Sequence, residues 1–304
     1  MSRNFLDYAI VTMKGMAMGA ADVVPGVSGG TIAFISGIYE ELINSINTIN
    51  LGLLKTLRRE GFASFWKKLN GNFLLALFLG IFISVFSLAR FLSWLLENQP
   101  ILLWSFFFGL VLASTFLVGK EIKRWNLATI ISLVLGTFLA YFITTLPPND
   151  NVNSIPYLFL SGALAVCAMI LPGISGAFIL VLLGSYKTIL DAVHERKLVM
   201  IATVGVGAVF GLLSFARILK WMFNKYRSTT LALLTGFILG SLSKIWPWKR
   251  VLETKVFDDK IIPIKEENIS PLAFAGDPQL IEGIALAVVG FSLIFILERV
   301  AAKK

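Results

Sequence analysis

Residues 25–30 read PGVSGG and interrupt a stretch that is apolar on both sides. Proline lacks a backbone N–H donor, and glycine costs about 1 kcal/mol relative to alanine inside a helix, so this motif should break any helix that crosses it. Nearly the same motif, PGISGA, returns at residues 172–177. A hydrophobic segment that is broken twice in the same way predicts two related elements.

The two motifs belong to a longer internal repeat. The segment that starts at Asp22 aligns without a gap on the segment that starts at Met169, and the segment from Ala89 aligns in the same way on the segment from Ala216. The matched pairs are Pro25 and Pro172, Ser28 and Ser175, Gly37 and Gly184, Tyr39 and Tyr186, Arg90 and Arg217, Trp94 and Trp221, Gly109 and Gly236, and Ser114 and Ser241. Arginine and tryptophan in register indicate a duplication rather than a chance match of leucines.

The composition is that of a polytopic membrane protein. The 304 residues are 57% hydrophobic and only 15% charged, and the mean hydropathy is +0.81. The apolar residues come in runs of about twenty or more, which is the length that crosses a bilayer as a helix. No cleavable signal peptide is evident, so the first helix is expected to serve as its own insertion signal.

The repeat and the apolar runs together predict an all-α fold of two inverted repeats, 1–147 and 148–304. Each repeat is predicted to contain a re-entrant broken-helix hairpin and three transmembrane helices. The hairpins are expected at about 5–47 and 155–192, the helices at 72–96, 101–118 and 127–146 and again at 199–223, 229–247 and 281–298, and a long outer loop at 248–280. Each hairpin arm has about sixteen residues and reaches roughly 24 Å, short of a roughly 30 Å hydrocarbon core.

The distribution of basic residues tests this topology. Lys55, Arg58, Arg59, Lys67 and Lys68 gather in one linker, and further Lys and Arg residues follow at 120–124 and 225–227. All of these fall on the cytoplasmic side if both termini are cytoplasmic, whereas the linkers ENQP and TTLPPNDNVNSIP, placed outside, contain no Lys or Arg. The pattern follows the positive-inside rule. Three crossings in each repeat would insert the second copy upside down, which is typical of secondary transporters.

Several other classes of function find no support in the sequence. The net charge of +9 comes from these loop residues, so we predict no nucleic-acid partner. Cys167 and His194 are the only cysteine and histidine, which argues against a disulfide, a metal site or a catalytic triad. The motif GVSGGT lacks the lysine of a phosphate-binding P-loop. We therefore expect no enzyme, no metal and no cofactor.

The broken turns are the first candidates for a binding site. Irregular backbone inside a membrane is tolerated where protein buries it or a water-filled cavity reaches it. A helix that restarts at Gly29 or Gly176 offers free N–H groups and a positive dipole end, which bind anions. The predicted phosphate-binding residues are Ser28, Gly29, Gly30, Thr31, Ser175 and Gly176, with Pro25, Gly26, Pro172 and Gly173 as the broken-helix turns. The alternative is that these glycines only permit tight helix packing.

Arg90 and Arg217 are the second pair of candidates. Each lies about six residues from the end of a predicted apolar helix, where an unpaired charge costs at least a few kcal/mol. A planar guanidinium can hold a phosphate with two hydrogen bonds, and inversion would place one arginine near each face of the membrane. In the alternative interpretation both side chains extend to the headgroups beside Trp94 and Trp221.

Asp22 is a candidate for proton or sodium coupling. It precedes the first motif and has Met169 as its counterpart. At the carboxyl end of a broken helix its charged form would be disfavoured, which suits an ion carrier. It could instead pair with Lys14 or Arg90 for structural reasons. Glu40 and Glu41 are interpreted as interfacial charges on the cytoplasmic side.

The tandem sequences ADVVPGVSGGTIAFISGIYEELI and AMILPGISGAFILVLLGSYKTIL strongly resemble a bacterial family of integral membrane proteins, long catalogued as a domain of unknown function and associated with polyprenyl-phosphate translocation. The likeness spans nearly the whole chain. It implies inverted repeats with re-entrant helices, and recycling of undecaprenyl phosphate from the outer to the cytoplasmic leaflet of the plasma membrane for cell-envelope glycan synthesis. In one departure between the two copies, Ala177 stands where the first copy has Gly30.

A polyprenyl-phosphate lipid is therefore the predicted partner, together with the bilayer itself. The oligomeric state, the prenyl chain length and the coupling ion are not determined by the sequence. Two rival hypotheses keep the same fold: a secondary transporter of a small soluble anion, and a membrane scaffold that transports nothing.

Overall fold

The computed structural model describes residues 3–24, 27–149, 154–257 and 260–302. Within these ranges the chain forms twelve α-helices and one two-stranded sheet. The helices are α1 Phe5–Val23, α2 Gly29–Ile35, α3 Tyr39–Asn47, α4 Leu51–Leu69, α5 Gly71–Asn98, α6 Pro100–Lys120, α7 Leu127–Thr145, α8 Ile155–Ile170, α9 Gly176–Leu182, α10 Tyr186–His194, α11 Leu198–Ser241 and α12 Leu280–Ala302. The strands are β1 Lys249–Phe257 and β2 Lys260–Asn268, and a short 3-10 helix follows at Pro271–Ala273.

The structure is that of a multi-pass membrane protein. Among the described residues, four helical segments are long and apolar enough to cross a membrane: Gly71–Leu88 within α5, α6, α7 and α11. Helix α11 has 44 residues and leaves helical geometry at Tyr226, where φ is −133° and ψ is 47°. This break falls between the two helices predicted at 199–223 and 229–247, so α11 consists of two helical parts, and the second part ends at Ser241, before the predicted bound.

The two predicted hairpins are each built from three helices. Helices α1, α2 and α3 form the first, and α8, α9 and α10 form the second. The second and third helices of each hairpin are joined at a glycine with positive φ, Gly37 at 74° and Gly184 at 67°. Helices α9 and α10 meet at 104°. This turn explains why glycine occupies both matched positions, because other residues adopt such a φ only at a cost.

Glycines bring the long helices together in parallel pairs. A Cβ added at Gly15 of α1 would lie 2.2 Å from the carbonyl oxygen of Leu77 in α5, and one at Gly19 would lie 2.8 Å from that of Ile81. The partner numbers rise together, so α1 and α5 run in the same direction. Helix α8 lies in the same way beside the first part of α11, where Gly207 meets Phe159 and Gly211 meets Ala163.

A second kind of parallel pair joins distant parts of the chain. Helix α6 lies along α12, with Gly109 against Ala287 and Phe116 against Phe291. Helix α7 lies along the second part of α11, with Gly236 against Leu133 and Gly240 against Thr137. Helices of the first half of the chain are therefore packed against the last quarter of the chain.

Two predictions about the loops are wrong. The linker with the basic cluster is not a loop but helix α4, which is capped by Asn50 and turns at Gly61, where φ is 81°. The segment at 248–280, predicted as a long outer loop, contains the β1–β2 hairpin, which is one small sheet in a mostly helical chain that is consistent with the predicted all-α class. The strands pair antiparallel from Lys249 opposite Asn268 to Phe257 opposite Lys260.

Candidate functional site

The two interrupted segments are in direct contact at the centre of the candidate site. The side-chain oxygen of Thr31, at the start of α2, accepts a hydrogen bond of 2.8 Å from the backbone N–H of Gly173. The hydroxyl of Ser28 donates to the carbonyl oxygen of Met169 over 3.1 Å. Both side chains are buried. The structure thus joins the first broken turn to the second by two hydrogen bonds.

The N–H groups of the first turn are used within the protein. Gly29 donates to the carboxylate of Asp22 over 2.7 Å, and Gly30 donates to the hydroxyl of Ser28 over 3.1 Å. These are two of the groups that the sequence assigns to phosphate. An anion at this turn would therefore have to displace Asp22. Pro25 and Gly26, also predicted as parts of the turn, lie outside the described residues.

Close packing explains the glycines of the first turn. A Cβ on Gly30 would lie 2.7 Å from the carbonyl oxygens of both Met169 and Ile170, and one on Gly29 would lie 2.5 Å from an oxygen of Asp22. At Gly30 the obstacle is backbone, which leaves no room for a side chain, whereas at Gly29 it is the end of the Asp22 side chain, which can move. Tight packing, the alternative to a phosphate-binding turn, thus accounts for Gly30.

The second turn is more open than the first. Pro172 and Gly173 are buried, Ser175 and Gly176 are half-buried, and Ala177 is exposed. Gly173 has φ of 89°, and a Cβ there would lie 2.7 Å from the carbonyl oxygen of Phe237. Ser175 precedes α9 but its side chain makes no capping hydrogen bond. The start of α9 is therefore the more accessible of the two helix beginnings.

Asp22 lies between two helices rather than at the end of one. It belongs to the last turn of α1, but its carboxylate accepts the N–H of Gly29 at the start of α2. The carboxyl end of α1 was predicted to disfavour the charged form of Asp22. The start of α2 has the opposite effect, because a carboxylate is favoured at a helix N-terminus. The predicted pairing with Lys14 is not seen, since Lys14 donates to the carbonyl oxygen of Ser36 over 2.6 Å.

The two arginines lie apart from the turns. Arg90 on α5 and Arg217 on α11 are both exposed. Neither makes a hydrogen bond or an ion pair with the residues that the structure describes. The structure therefore does not bring them together with the broken turns in this conformation, and their exposed position fits either a membrane-facing site or side chains that extend to headgroups.

An open polar pocket near Arg217 was not predicted from the sequence. Its volume is about 370 Å³, and its lining consists of Glu41, Asn44, Ser45, Thr48, Asn70 and Lys220. Lys220 is one helical turn beyond Arg217 on α11, and it has no ion pair within the described part of the chain. The signal was present in α3 and just beyond it, because positions 41, 44, 45 and 48 form a polar stripe at helical spacing.

Hydrogen bonds hold the pocket in shape. Glu41 accepts from the guanidinium of Arg3 over 2.7 Å and from the amide of Asn70 over 2.8 Å. Asn47, on the same helix as Glu41, donates to the carbonyl oxygen of Ala216 over 2.8 Å. With Glu41 neutralised by Arg3, the charge that remains at the pocket is that of Lys220. The pocket therefore suits an anion.

The start of α3 and the middle of α11, beside its break at Tyr226, are also joined by charge and by aromatic contact. Arg227 forms an ion pair of 2.7 Å with Glu40, and the ring of Tyr39 meets that of Phe223 edge to face at 6.1 Å. Glu40 is thus a partner in a contact between the two halves of the chain, and not only an interfacial charge.

Among the described residues, no group of three or more His, Cys, Asp or Glu side chains could hold a metal ion.

Comparisons with known proteins identify relatives of this chain. The family model described as "Undecaprenyl phosphate translocase-like" matches residues 18–260. The chain is 44% identical to a polyprenyl-phosphate transporter of Vibrio cholerae serotype O1 over all of both chains. It is 32% identical to a polyprenyl-phosphate transporter of Staphylococcus aureus, over 77% of this chain and 85% of that protein. No solved structure matches it significantly. The family match, which includes both broken turns and the pocket residues, shows together with the two relatives that the chain belongs to the undecaprenyl phosphate translocase-like family.

Proposed function

We propose that this protein translocates a polyprenyl phosphate, with undecaprenyl phosphate as the substrate, from the outer to the cytoplasmic leaflet of the bacterial plasma membrane. The lipid would then be reused in cell-envelope glycan synthesis. The observation that carries the proposal is the hydrogen-bonded contact between the two interrupted segments, Thr31 with Gly173 and Ser28 with Met169. The names of the two relatives supply the substrate class. The protein acts as a transporter and not as an enzyme.

The proposed architecture is a pair of inverted repeats. In support, α1 pairs with α5 in the first repeat as α8 pairs with the first part of α11 in the second. The other two pairs join helices of different repeats: α6 of the first repeat packs on α12 of the second, and α7 of the first packs on the second part of α11. A pseudo-twofold relation between the repeats accounts for all four pairs. Rocking of such repeats about their shared centre is the motion of many secondary transporters.

The proposed orientation places both termini in the cytoplasm. Helix α4, with its basic residues, then lies at the cytoplasmic surface and the β1–β2 hairpin lies outside. Each interrupted segment would enter and leave from one face as a re-entrant hairpin. The polar pocket at Lys220 would open to the cytoplasmic side, because it contains Asn70, which directly follows α4.

The proposed path runs from Arg90 to the broken turns and then to Arg217. A bare phosphate cannot cross hydrocarbon at a useful rate, whereas the prenyl tail can stay in the bilayer beside the protein. Arg217 and Lys220 lie on neighbouring turns of α11, so they could receive the headgroup together at the polar pocket. Ser28, Thr31, Ser175 and the glycines of the turns would contact the phosphate during its passage, which requires the internal hydrogen bonds of the first turn to open.

A vesicle experiment tests translocation. Purified protein is reconstituted with a fluorescent short-chain polyprenyl phosphate, and dithionite quenches the lipid that reaches the outer leaflet. We expect protein-dependent loss of the protected pool, and slower loss for Arg217→Gln, Lys220→Gln and Arg90→Gln. Arg124→Gln, an exposed change between α6 and α7, is the matched control. If wild-type protein leaves the protected pool unchanged, the lipid function is wrong.

The same vesicles address the alternatives and the coupling ion. If the protein transports a small soluble anion instead, inorganic phosphate should inhibit transport of that anion and the lipid should have no effect on it. A scaffold should respond to neither inorganic phosphate nor the lipid. Proton or sodium coupling through Asp22 predicts that Asp22→Asn retains the hydrogen bond from Gly29 but weakens any dependence of the rate on pH or sodium. An unchanged dependence in a folded, active Asp22→Asn protein would exclude this role.

A further inference from the structure

Two lysines share one carboxylate at the base of the β1–β2 hairpin. The Nζ atoms of Lys244 and Lys249 lie 3.3 and 3.4 Å from the same oxygen of Glu266, Oε2. No other carboxylate lies within ion-pair distance of either ammonium group in the described part of the chain. The cluster therefore carries one more positive charge than negative.

This surplus charge is held largely away from water. Only 10% of the Lys249 side chain is exposed. Its ammonium group lies 4.6 Å from the centre of the Trp104 ring and donates to the carbonyl oxygen of Lys244 over 2.7 Å. Burial lowers the pKa of Lys249 to about 8, against the opposing effect of Glu266. A buried cation whose charge is only partly balanced costs free energy that a second anion would recover.

The cluster lies over the second interrupted segment. The ammonium group of Lys244 is 5.4 Å from the centre of the Phe178 ring. Phe178 follows Gly176 by two residues, in the more open of the two turns. The lysines thus stand beside a part of the molecule through which the proposed transport path passes, and they do so at the end where the sequence predicts an outer loop.

Glu266 is on an element that can shift. It lies in β2, one strand of a sheet that has only two strands, and such a hairpin is marginally stable by itself. Its register is irregular between Val251 and Thr254. The carboxylate of Glu266 could therefore leave the lysines without disruption of the helical core.

We propose that Lys244 and Lys249 form a binding site for the phosphate headgroup of a lipid, and that Glu266 occupies this site when no phosphate is present. The inference rests on the proposed function and orientation, in which this end faces the outer leaflet. A phosphate monoester carries a charge of about −1.5 to −2 at neutral pH, so it balances two ammonium groups better than one carboxylate does. Binding of the headgroup would release Glu266 from the two lysines.

The test measures lipid binding by the full-length protein in detergent, with a short-chain polyprenyl phosphate as the probe. Glu266→Gln removes the internal competitor, so affinity should rise about threefold to tenfold. Lys249→Gln and Lys244→Gln should each lower it about tenfold. Glu267→Gln is the matched control, because Glu267 is the next residue of β2 and its side chain is exposed. It should bind as the wild type does.

The increase for Glu266→Gln makes the test robust to misfolding, since a damaged protein would not bind more tightly. Unchanged or weaker binding by folded Glu266→Gln overturns the proposal, and so does wild-type affinity in both lysine variants. Inorganic phosphate is the second probe. If the affinities for inorganic phosphate follow the predicted order of variants and the affinities for the lipid do not, the site binds free phosphate and the lipid assignment is wrong.

Translocation in vesicles separates this inference from the proposed function. If the affinities of the variants follow the predicted order but the wild-type protein moves no lipid, the proposed function is wrong and the lysine site remains supported. Wild-type protein that moves lipid, with no change in binding for the Glu266 and lysine variants, would contradict the lysine site alone.

Discussion

Gly30 and Ala177 occupy matched positions in the two broken turns, and their surroundings explain the difference. Gly30 is buried against the carbonyl oxygens of Met169 and Ile170, where a Cβ would lie 2.7 Å from each. Ala177 is exposed, so its methyl group meets no such obstacle. Gly30 of the first turn therefore packs against the second segment, whereas Ala177 of the second turn takes no part in this contact.

We predict that Gly30→Ala destabilises the protein by about 1–3 kcal/mol, the usual cost of overpacking. The methyl group would push α2 away from α8 and weaken the Ser28 hydrogen bond to Met169. Thermal unfolding in detergent measures this change, with Ala177→Ser as the control that should unfold near the wild-type temperature. A Gly30→Ala protein as stable as the wild type would show that the two turns do not pack as closely as described.

Sequence matching predicts much at this scale, but not the internal partners. The matched glycines Gly37 and Gly184 both adopt a positive φ, which the repeat alone did not predict. The contact of Asp22 with Gly29 was not predicted, because a carboxylate seven residues away reaches that N–H only after the chain has folded back. The polar pocket was missed for a similar reason, since Lys220 and Asn70 are brought to α3 from distant helices.

At the scale of elements, glycines set the distance between parallel helices. A Cβ at Gly109 of α6 would lie 1.9 Å from the carbonyl oxygen of Ala287 in α12. Gly119, on the same helix, has nothing within 4 Å of its Cβ position. Gly109 lies in the middle of α6 and Gly119 in its last turn, and only Gly109 is packed against another helix, so Gly119 serves as the control.

Gly109→Ala should therefore lower the free energy of unfolding by about 1–3 kcal/mol, because α6 and α12 must separate. Gly119→Ala should leave it unchanged or raise it by up to about 1 kcal/mol, since alanine favours a helix. Denaturation of both variants in the same detergent makes the comparison. Equal effects would mean that the α6–α12 contact contributes little to stability.

The long apolar helices are predicted well by hydropathy, whereas α4 and the hairpin are not. The basic residues of 51–69 suggest a solvated linker, but Leu53 and Thr56 lie on a buried face of a capped helix. The segment 249–268 mixes charged and β-branched residues, and its strands pair only with each other. Neither element contributes to the apolar pattern of the membrane-spanning helices, which is why that pattern does not reveal them.

The pKa of Lys249 gives the hairpin site a specific dependence on pH. This pKa is about 8, so the ammonium form dominates at pH 7 and the neutral form dominates at pH 9. The charged groups that face Lys249 are Lys244 and Glu266, and α6 presents the uncharged ring of Trp104. A phosphate monoester has its second pKa near 6, so its charge changes little in this range.

If Lys249 binds phosphate, affinity for the short-chain lipid should fall roughly tenfold from pH 7 to pH 9, as the ammonium form is lost. Lys249→Arg keeps its charge throughout this range and should flatten the profile. Binding titrations at several pH values check both curves. A wild-type profile that is flat, or a fall of equal size in Lys249→Arg, would assign the pH dependence to another group.

At the scale of the whole molecule, the duplication predicts what each half contains but not how the halves meet. The sequence alignment equates α6 with the second part of α11 and therefore α7 with α12. The structure packs α6 on α12 and α7 on the second part of α11, so each of these helices has its partner in the other half of the chain. An alignment carries no information on this exchange, because every helix in the set offers small residues and apolar surface to several partners.

The final prediction concerns the two ends of the molecule. Helix α5 begins at Gly71, next to α4, and runs 28 residues, or about 42 Å, to Asn98. Beyond it Gln99 accepts a hydrogen bond of 3.2 Å from Gln279, which follows the β1–β2 hairpin. Helix α4 and the hairpin therefore lie at opposite ends of a helix that is long enough to cross the membrane.

Cysteine labelling with a membrane-impermeant maleimide tests this separation in a Cys167→Ser background. Glu267→Cys in the hairpin should react in intact spheroplasts, and Arg59→Cys in α4 should react only after the membrane is permeabilised, as the positive-inside rule requires. Both side chains are exposed, so burial does not limit the reaction. The reverse pattern would invert the proposed direction of transport, and labelling of both sites in intact spheroplasts would contradict the membrane topology itself.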